Sequence, residues 1–452
     1  MKYTINRKYL LIFSLLVSLQ MVAQTNNNVP TSTPNKPKLV VGIVVDQMRW
    51  DYLYRFQPFF KDHNGFSRLM DKGFSCENTF VNYLPTVTAA GHACIYTGSV
   101  PAIHGITGNN WWDNYQKKGI YCTQDDSVKT VGSNTADAGK MSPKNLLTTT
   151  ITDELRLASN FHSKVVGLSL KDRGAIIPAG HSDTSAGHVM NAAFWYDGQS
   201  GNFITSTYYM NELPVWLQDL NNRKLVDSFY TQNWNLALPK QVYDKFCDKD
   251  ENPYEARMFN SQSSSFPYNL EKYIRKDYSK ISGTPYGNDL LLAVAKQAID
   301  AEQLGKQETT DFLALSFSAP DYIGHSFGPN SWELFDSYIR LDATIASLLN
   351  YLDQTVGKDQ YTVVLTADHA GAHIPEFLEK HNIPAGREND KDLMNELNTA
   401  IAGKYGVADL VTSVNDFDIY LNHEEIAYIK KYVSNTIDLD EDKLKDFISD
   451  YL

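Results

Sequence analysis

The sequence predicts an α/β protein: a three-layer α/β/α sandwich with a mainly parallel central sheet and an aromatic-rich inserted cap. Three observations lead there. Four apolar, largely β-branched runs recur along the chain, at Lys38–Val45, Lys164–Leu170, Asp311–Phe317 and Tyr361–Thr366. Continuous runs of that length, without polar alternation, mark strands covered on both faces, as parallel sheets require. Helical patterns separate the runs, and the stretch from about Ala179 to Pro285 breaks the alternation with Trp195, Trp216 and Trp234.

The chain opens with an expected export signal, residues 1–24. Lys2, Arg7 and Lys8 precede the apolar run Tyr9–Val22, and Val22-Ala23-Gln24 offers a cleavage point. The run is short for a bilayer span, so removal is expected, with no stable membrane span afterwards. Location is then periplasmic or secreted. Residues 25–37 are polar and read as a flexible tether.

Residues 38–452 are expected to form one domain. Lys38–Val45 closes on Asp46, and helical Gln47–Arg55 and Gly65–Lys72 come after it. Next comes LPTVTAAGHACIYTGSVPAIHGITGNNWWD, Leu84–Asp113, which sets Thr86 and Thr88 at the start of a small-residue helix. Lys129–Met141 is polar and loop-like, and Asn145–Ser159 reads as an amphipathic helix carrying Ile151, Leu155 and Leu157. The second strand run ends on Lys171-Asp172-Arg173-Gly174. After the insertion, expected at about 179–285, Asn288–Leu304 is helical. The third run leads to Asp321 and His325, Trp332–Leu352 is a long helix, and the fourth run leads to Asp368-His369. Beyond Lys391 the chain reads as helical and acidic.

Composition is that of a globular protein, 21% charged and 42% hydrophobic. A formal net charge of -12 argues against nucleic acid or an anionic membrane as partner. Any anionic substrate must be drawn in locally, by metals or a few basic groups. Cys76, Cys94, Cys122 and Cys247 show no zinc-type pairing and no spacing that assigns a disulfide. No signal in the chain specifies an oligomeric state.

Chemistry converges at the strand ends. In a parallel sheet, Asp46, Lys171/Arg173, Asp321/His325 and Asp368-His369 all meet at the carboxyl edge, where open α/β sheets gather ligands. Three aspartates and two histidines there suit divalent ions, zinc above all. Thr88 at a helix start sits among unpaired N–H groups that attract phosphate. Metals plus such a hydroxyl are the parts for in-line displacement at phosphorus, with Thr88 as nucleophile. Lys171 and Arg173, alternating across an extended segment, are expected to point the same way, toward non-bridging oxygens.

These residues carry a resemblance. Asp46, PTVTAAGH with Thr88, GNNWWD with Asn109, SLKDRGAIIPAGH with Lys171 and Arg173, DYIGH with Asp321 and His325, and TADHA with Asp368 and His369 resemble the alkaline phosphatase superfamily. Within it they are most similar to the phosphate-irrepressible, threonine-nucleophile branch close to the nucleotide pyrophosphatase/phosphodiesterases. The resemblance runs from about Lys38 to about Ala400. It implies two Zn2+, one on Asp46, Asp368, His369 and the Thr88 oxygen, the other on Asp321 and His325. It implies that Asn109, Lys171 and Arg173 hold the non-bridging oxygens of small-molecule phosphate monoesters. The Cys/Ser-x-Pro-x-Arg nucleophile motif of the superfamily's arylsulfatases has no counterpart around Cys94.

The expectation is therefore an exported zinc phosphomonoesterase acting through a phosphothreonine. There is one departure: the family's second zinc takes a further histidine from a downstream His-Gly motif, and no histidine after His381 is followed by glycine. The chain is expected to be truncated before that ligand. Two other readings compete with the first: a phosphodiesterase or nucleotide pyrophosphatase on the same scaffold, and a catalytically impaired binding protein.

Overall fold

The apolar runs become the strands of one sheet. The computed structural model describes residues 36–60, 65–181, 191–258, 263–416, 418–434 and 436–452, so the expected export signal and nearly all of the tether lie outside the described residues. The strands are β1 (Leu39–Val45), β2 (Asn110–Asp113), β3 (Lys118–Tyr121), β4 (Thr130–Val131), β5 (Val165–Ser169), β6 (Asn191–Asp197), β7 (Asn202–Ser206), β8 (Asp311–Phe317), β9 (Tyr361–Thr366), β10 (Val411–Asn415) and β11 (Asp418–Leu421). The central sheet has the order β4-β7-β6-β5-β8-β1-β9. Strands β6, β5, β8, β1 and β9 run parallel, while β7 and β4 form an antiparallel margin.

Register decides what meets at the edge. Val45 lies opposite Phe317, Val44 opposite Thr366, and Ser169 opposite Ser316. The residues immediately after β1, β5, β8 and β9 therefore emerge side by side. The flanking helices used below are α1 (Thr88–Thr97), α2 (Asp172–Ala179), α3 (Tyr286–Ala301), α4 (Ala319–Phe327) and α5 (Trp332–Leu352). Leu290, Leu291, Val294 and Ala298 of α3, and Leu341, Ile345 and Leu348 of α5, are fully buried, as their helical spacing requires.

Several expectations change. The fourth run is not covered on both faces: β9 pairs with β1 alone at the sheet's end, and Val364 is 54% exposed. The stretch expected as an insertion from about Ala179 supplies β6 and β7 to the central sheet, so its residues Asn191–Asp197 and Asn202–Ser206 belong to the strand layer. Two of its aromatic residues pack on α5: Trp234 Nε1 donates to Asp336 Oδ1 at 2.8 Å, and the Tyr243 ring lies tilted against Trp332 and edge-on to Phe335. The helix expected from Asn145 starts at Ile151, because Thr150 and Asp153 form a capping box that fixes its first turn. Lys129–Met141 is not all loop, since it contains β4. Beyond Lys391 the chain is not helical throughout. The hairpin β10–β11 joins Leu397, Ile401 and Leu444 in a separate apolar cluster.

Candidate active site

Thr88 opens α1 and is 2% exposed, and Val87, not a threonine, takes the cap position in extended conformation. Its hydroxyl is therefore not consumed by capping. It accepts from Lys171 Nζ at 3.3 Å. Thr86 lies outside the helix and is exposed. A side chain at Gly91 would stand 2.3 Å from the Asp368 carbonyl, so glycine there lets α1 lie directly against the end of β9.

Asp46 directly succeeds β1 and is 0% exposed. Its Oδ2 accepts from Lys171 Nζ at 2.7 Å, while Oδ1 makes no hydrogen bond and faces His369 Nε2 at 3.4 Å. Asp321, in the first turn of α4, takes the same ammonium on Oδ2 at 2.5 Å. Its Oδ1 accepts from Gln47 Nε2 at 3.0 Å and lies 3.1 Å from His325 Nε2. The His325 side chain is 71% exposed, so it reaches the site from solvent. Asp368 Oδ1 accepts from the backbone N–H groups of Gln47 at 3.2 Å and His369 at 2.9 Å. Its Oδ2 has no hydrogen bond and sits 3.3 Å from His92 Nδ1.

Neighbouring charge outweighs burial at Asp368 and Asp321. Burial alone would raise Asp368, but His92 and His369 beside it outweigh that and hold its carboxyl at about 2. Burial and Asp46 both push Asp321 up, yet His325 and Lys171 leave it below the usual carboxylate range. Burial works against a charged His369, and Asp46 and Asp368 pull it up to about 9. Lys171 is likewise opposed by burial and raised by Asp46 and Asp321.

Arg173 and Asn109 border this centre. Asn109 Oδ1 accepts from Ala89 N at 3.0 Å, which ties it to the first turn of α1. Arg173 Nη1 donates to Tyr121 Oη at 3.0 Å, and its Nε is buried without a hydrogen bond. The segment expected to be extended is helical instead: Lys171 caps α2 and Arg173 already lies in its first turn. Strand alternation is not what places them. A side chain at Gly174 would stand 2.6 Å from Ser169 Oγ, so α2 starts tight against β5.

The donor set suits a divalent cation. Asp46, Asp321 and His369 offer ligand atoms that all lie within 4.8 Å of one another. The unsatisfied oxygens Asp46 Oδ1 and Asp368 Oδ2 are buried acceptors of the kind a cation completes. This grouping cuts across the division implied by the resemblance, because Asp321 of the second set joins Asp46 and His369 of the first. His373 and His381 are engaged elsewhere, beside Arg49 and the Phe377 carbonyl.

Sequence reasoning missed Gln47, His92, Tyr121 and Tyr322. Gln47 adopts φ 63 directly after Asp46 and contacts both Asp321 and Asp368. His92 lies one turn beyond Thr88, with Nδ1 at 2.9 Å from the Thr88 carbonyl and Nε2 at 3.0 Å from Ser316 Oγ. Its i+4 spacing from Thr88 was a usable signal. Lys171 Nζ stands 5.1 Å from the centre of the Tyr322 ring. Tyr121 carries no local mark.

A family model described as type I phosphodiesterase / nucleotide pyrophosphatase matches residues 40–445. The chain is 48% identical over 419 residues to alkaline phosphatase PhoV of Synechococcus elongatus, covering 92% of this chain and 74% of that protein. It is 42% identical over 438 residues to alkaline phosphatase PafA of Elizabethkingia meningoseptica, covering 96% and 76%. A relative from Myroides odoratus named calcium-transporting ATPase is 50% identical over 394 residues, covering 86% and 70%. The crystal structure of wild-type PafA aligns with a TM-score of 0.84 at 42% identity, covering 91% of this chain and 76% of that one.

Proposed function

Because the chain belongs to the type I phosphodiesterase / nucleotide pyrophosphatase family, within the alkaline phosphatase superfamily, we propose that it is an exported, zinc-dependent alkaline phosphatase. Its substrates are small-molecule phosphate monoesters, cleaved through a phosphothreonine at Thr88. One observation carries this reading: the buried Lys171 ammonium touches the Thr88 hydroxyl, Asp46 and Asp321 together, so nucleophile and acidic centre share one side chain's reach.

Thr88 Oγ attacks phosphorus while the bond to the leaving alcohol breaks, and the hydroxyl proton ends on the departing oxygen. Water then attacks the phosphothreonine, the P–Oγ bond breaks, and Thr88 regains its proton as phosphate leaves. Asp46, Asp368 and His369 would hold one zinc ion and Asp321 and His325 a second, and their charge would acidify the hydroxyl and the water and neutralise the leaving oxygen. Asn109, Lys171 and Arg173 take the non-bridging oxygens, and the two cationic side chains favour a dianionic monoester over a singly charged diester. Export rests on residues 1–24, and the first residue of the mature protein tests it.

Rates on p-nitrophenyl phosphate and its bis ester, with bound zinc counted, test the assignment. The monoester should be the faster substrate, with activity lost on chelation and restored by zinc. A faster bis ester would make the protein a phosphodiesterase, and zinc binding without turnover would make it a binding protein.

A further inference from the structure

Arg173 needs something to fix the plane of its guanidinium, and the structure supplies it from another element. Tyr121, the last residue of β3, accepts from Arg173 Nη1 at 3.0 Å and donates to Asp172 Oδ1 at 2.8 Å. Asp172 Oδ2 accepts in turn from Thr123 Oγ1. The phenol oxygen thus uses both its roles, and the carboxylate that accepts its hydrogen bond makes it a better acceptor for the guanidinium. With Nη1 committed to Tyr121, the buried Arg173 Nε is an N–H that the protein leaves unpaired.

The same hairpin reaches Asn109. Cys122 N donates to the Asn109 carbonyl at 3.0 Å, so Asn109 and Tyr121 flank one hydrogen bond at the base of β2–β3. The hairpin base therefore fixes one phosphoryl contact directly and the other through a phenol.

We infer that Tyr121 is a positioning residue for monoester specificity, its hydroxyl holding the Arg173 guanidinium in line with the phosphoryl oxygens. This rests on the role given to Arg173 above. A positioning residue should lose its effect once the group it positions is gone.

The test uses the zinc-loaded full chain carrying Tyr121→Phe, Arg173→Ala, or both. Tyr121→Phe should lower kcat/KM for p-nitrophenyl phosphate about 10-fold, the scale of one hydrogen bond to a charged group. It should weaken inhibition by inorganic phosphate in proportion and leave the bis ester within about 2-fold. Added to Arg173→Ala, it should change the monoester rate by less than about 2-fold. If Tyr121→Phe folds poorly, Thr123→Val loosens Asp172 without touching the ring and should give the same selective loss, smaller in size. A full Tyr121→Phe effect in the Arg173→Ala background, or equal losses on both esters, overturns the inference. If Arg173→Ala matters and Tyr121→Phe does not, this inference alone falls. If Arg173→Ala is itself without effect on the monoester, the proposed clamp falls with it.

Discussion

Two of the protein's groups of buried acids are treated in opposite ways. At the sheet edge, Asp46, Asp321 and Asp368 sit among Lys171, His92 and His369, and neighbouring charge outweighs burial at Asp321 and Asp368. Beneath the aromatic layer, Glu255 and Glu333 are buried with hydroxyl partners. Ser264 Oγ donates to Glu255 Oε2 at 2.8 Å, and Tyr268 Oη donates to Glu333 Oε1 at 2.6 Å. Burial pushes Glu255 up to about 8 and raises Glu333 well above the carboxylate range, so both are held neutral. Burial alone therefore does not make a catalytic carboxylate. At the sheet edge it is the opposite charge brought to Asp321 and Asp368 that holds them below the usual carboxylate range.

The largest expected difference comes from neutralising one acid in each group. Asp46→Asn should cost roughly 100-fold or more in monoesterase rate and most of the zinc bound beside Thr88, since it removes one of that site's protein ligands. Glu333→Gln, which mimics a carboxyl already neutral, should leave rate and zinc within about 2-fold. Zinc counted after gel filtration, alongside the rates, checks both. Equal zinc loss in the two variants would break the comparison.

A smaller, selective effect should come from the cationic side. Replacing Lys171 and Arg173 together by alanine should lower monoesterase activity far more than diesterase activity, each lost contact costing on the order of 2–3 kcal/mol of transition-state stabilisation. The ratio of rates on the two p-nitrophenyl esters reads this out. Equal losses would make the pair a structural counter-charge for Asp46 and Asp321 and nothing more.

Much of this site was legible because a parallel sheet is an aligning device. Once β1, β5, β8 and β9 run the same way, Asp46, Lys171, Asp321 and Asp368 must emerge together, whatever their distance in sequence. Features the strands do not control were not legible. The turn that swings Lys171 and Arg173 into α2 depends on Gly174 packing against Ser169, a contact with no periodic signature. Tyr121 reaches Arg173 through a hairpin more than a full helix away in sequence, and nothing in KGIY marks it. Strands β6 and β7 were hidden because their aromatic and polar residues read as a cap, while all of Asn191–Asp197 is buried in the sheet.

The smallest expected effect belongs to the neutral acids and concerns stability. Glu255 binds its proton more tightly folded, at about 8, than unfolded, near 4.5. Its contribution is thus fully present below the unfolded value and is lost as pH rises through the folded one. Urea unfolding should show stability falling between about pH 5 and pH 9 through this group, and Glu255→Gln should flatten that slope. An unchanged slope would mean that Glu255 is ionised in the folded protein.

The central claim is that the ionised group serves chemistry at Thr88. Its most direct test is to quench turnover of a phosphate monoester in acid and locate the phosphate on the chain. Thr88 should carry it, and Thr88→Ala should abolish both the label and phosphoryl transfer, while Thr86→Ala keeps both. Phosphate found on Thr86, or a Thr88→Ala variant that still forms the labelled enzyme, would contradict the account.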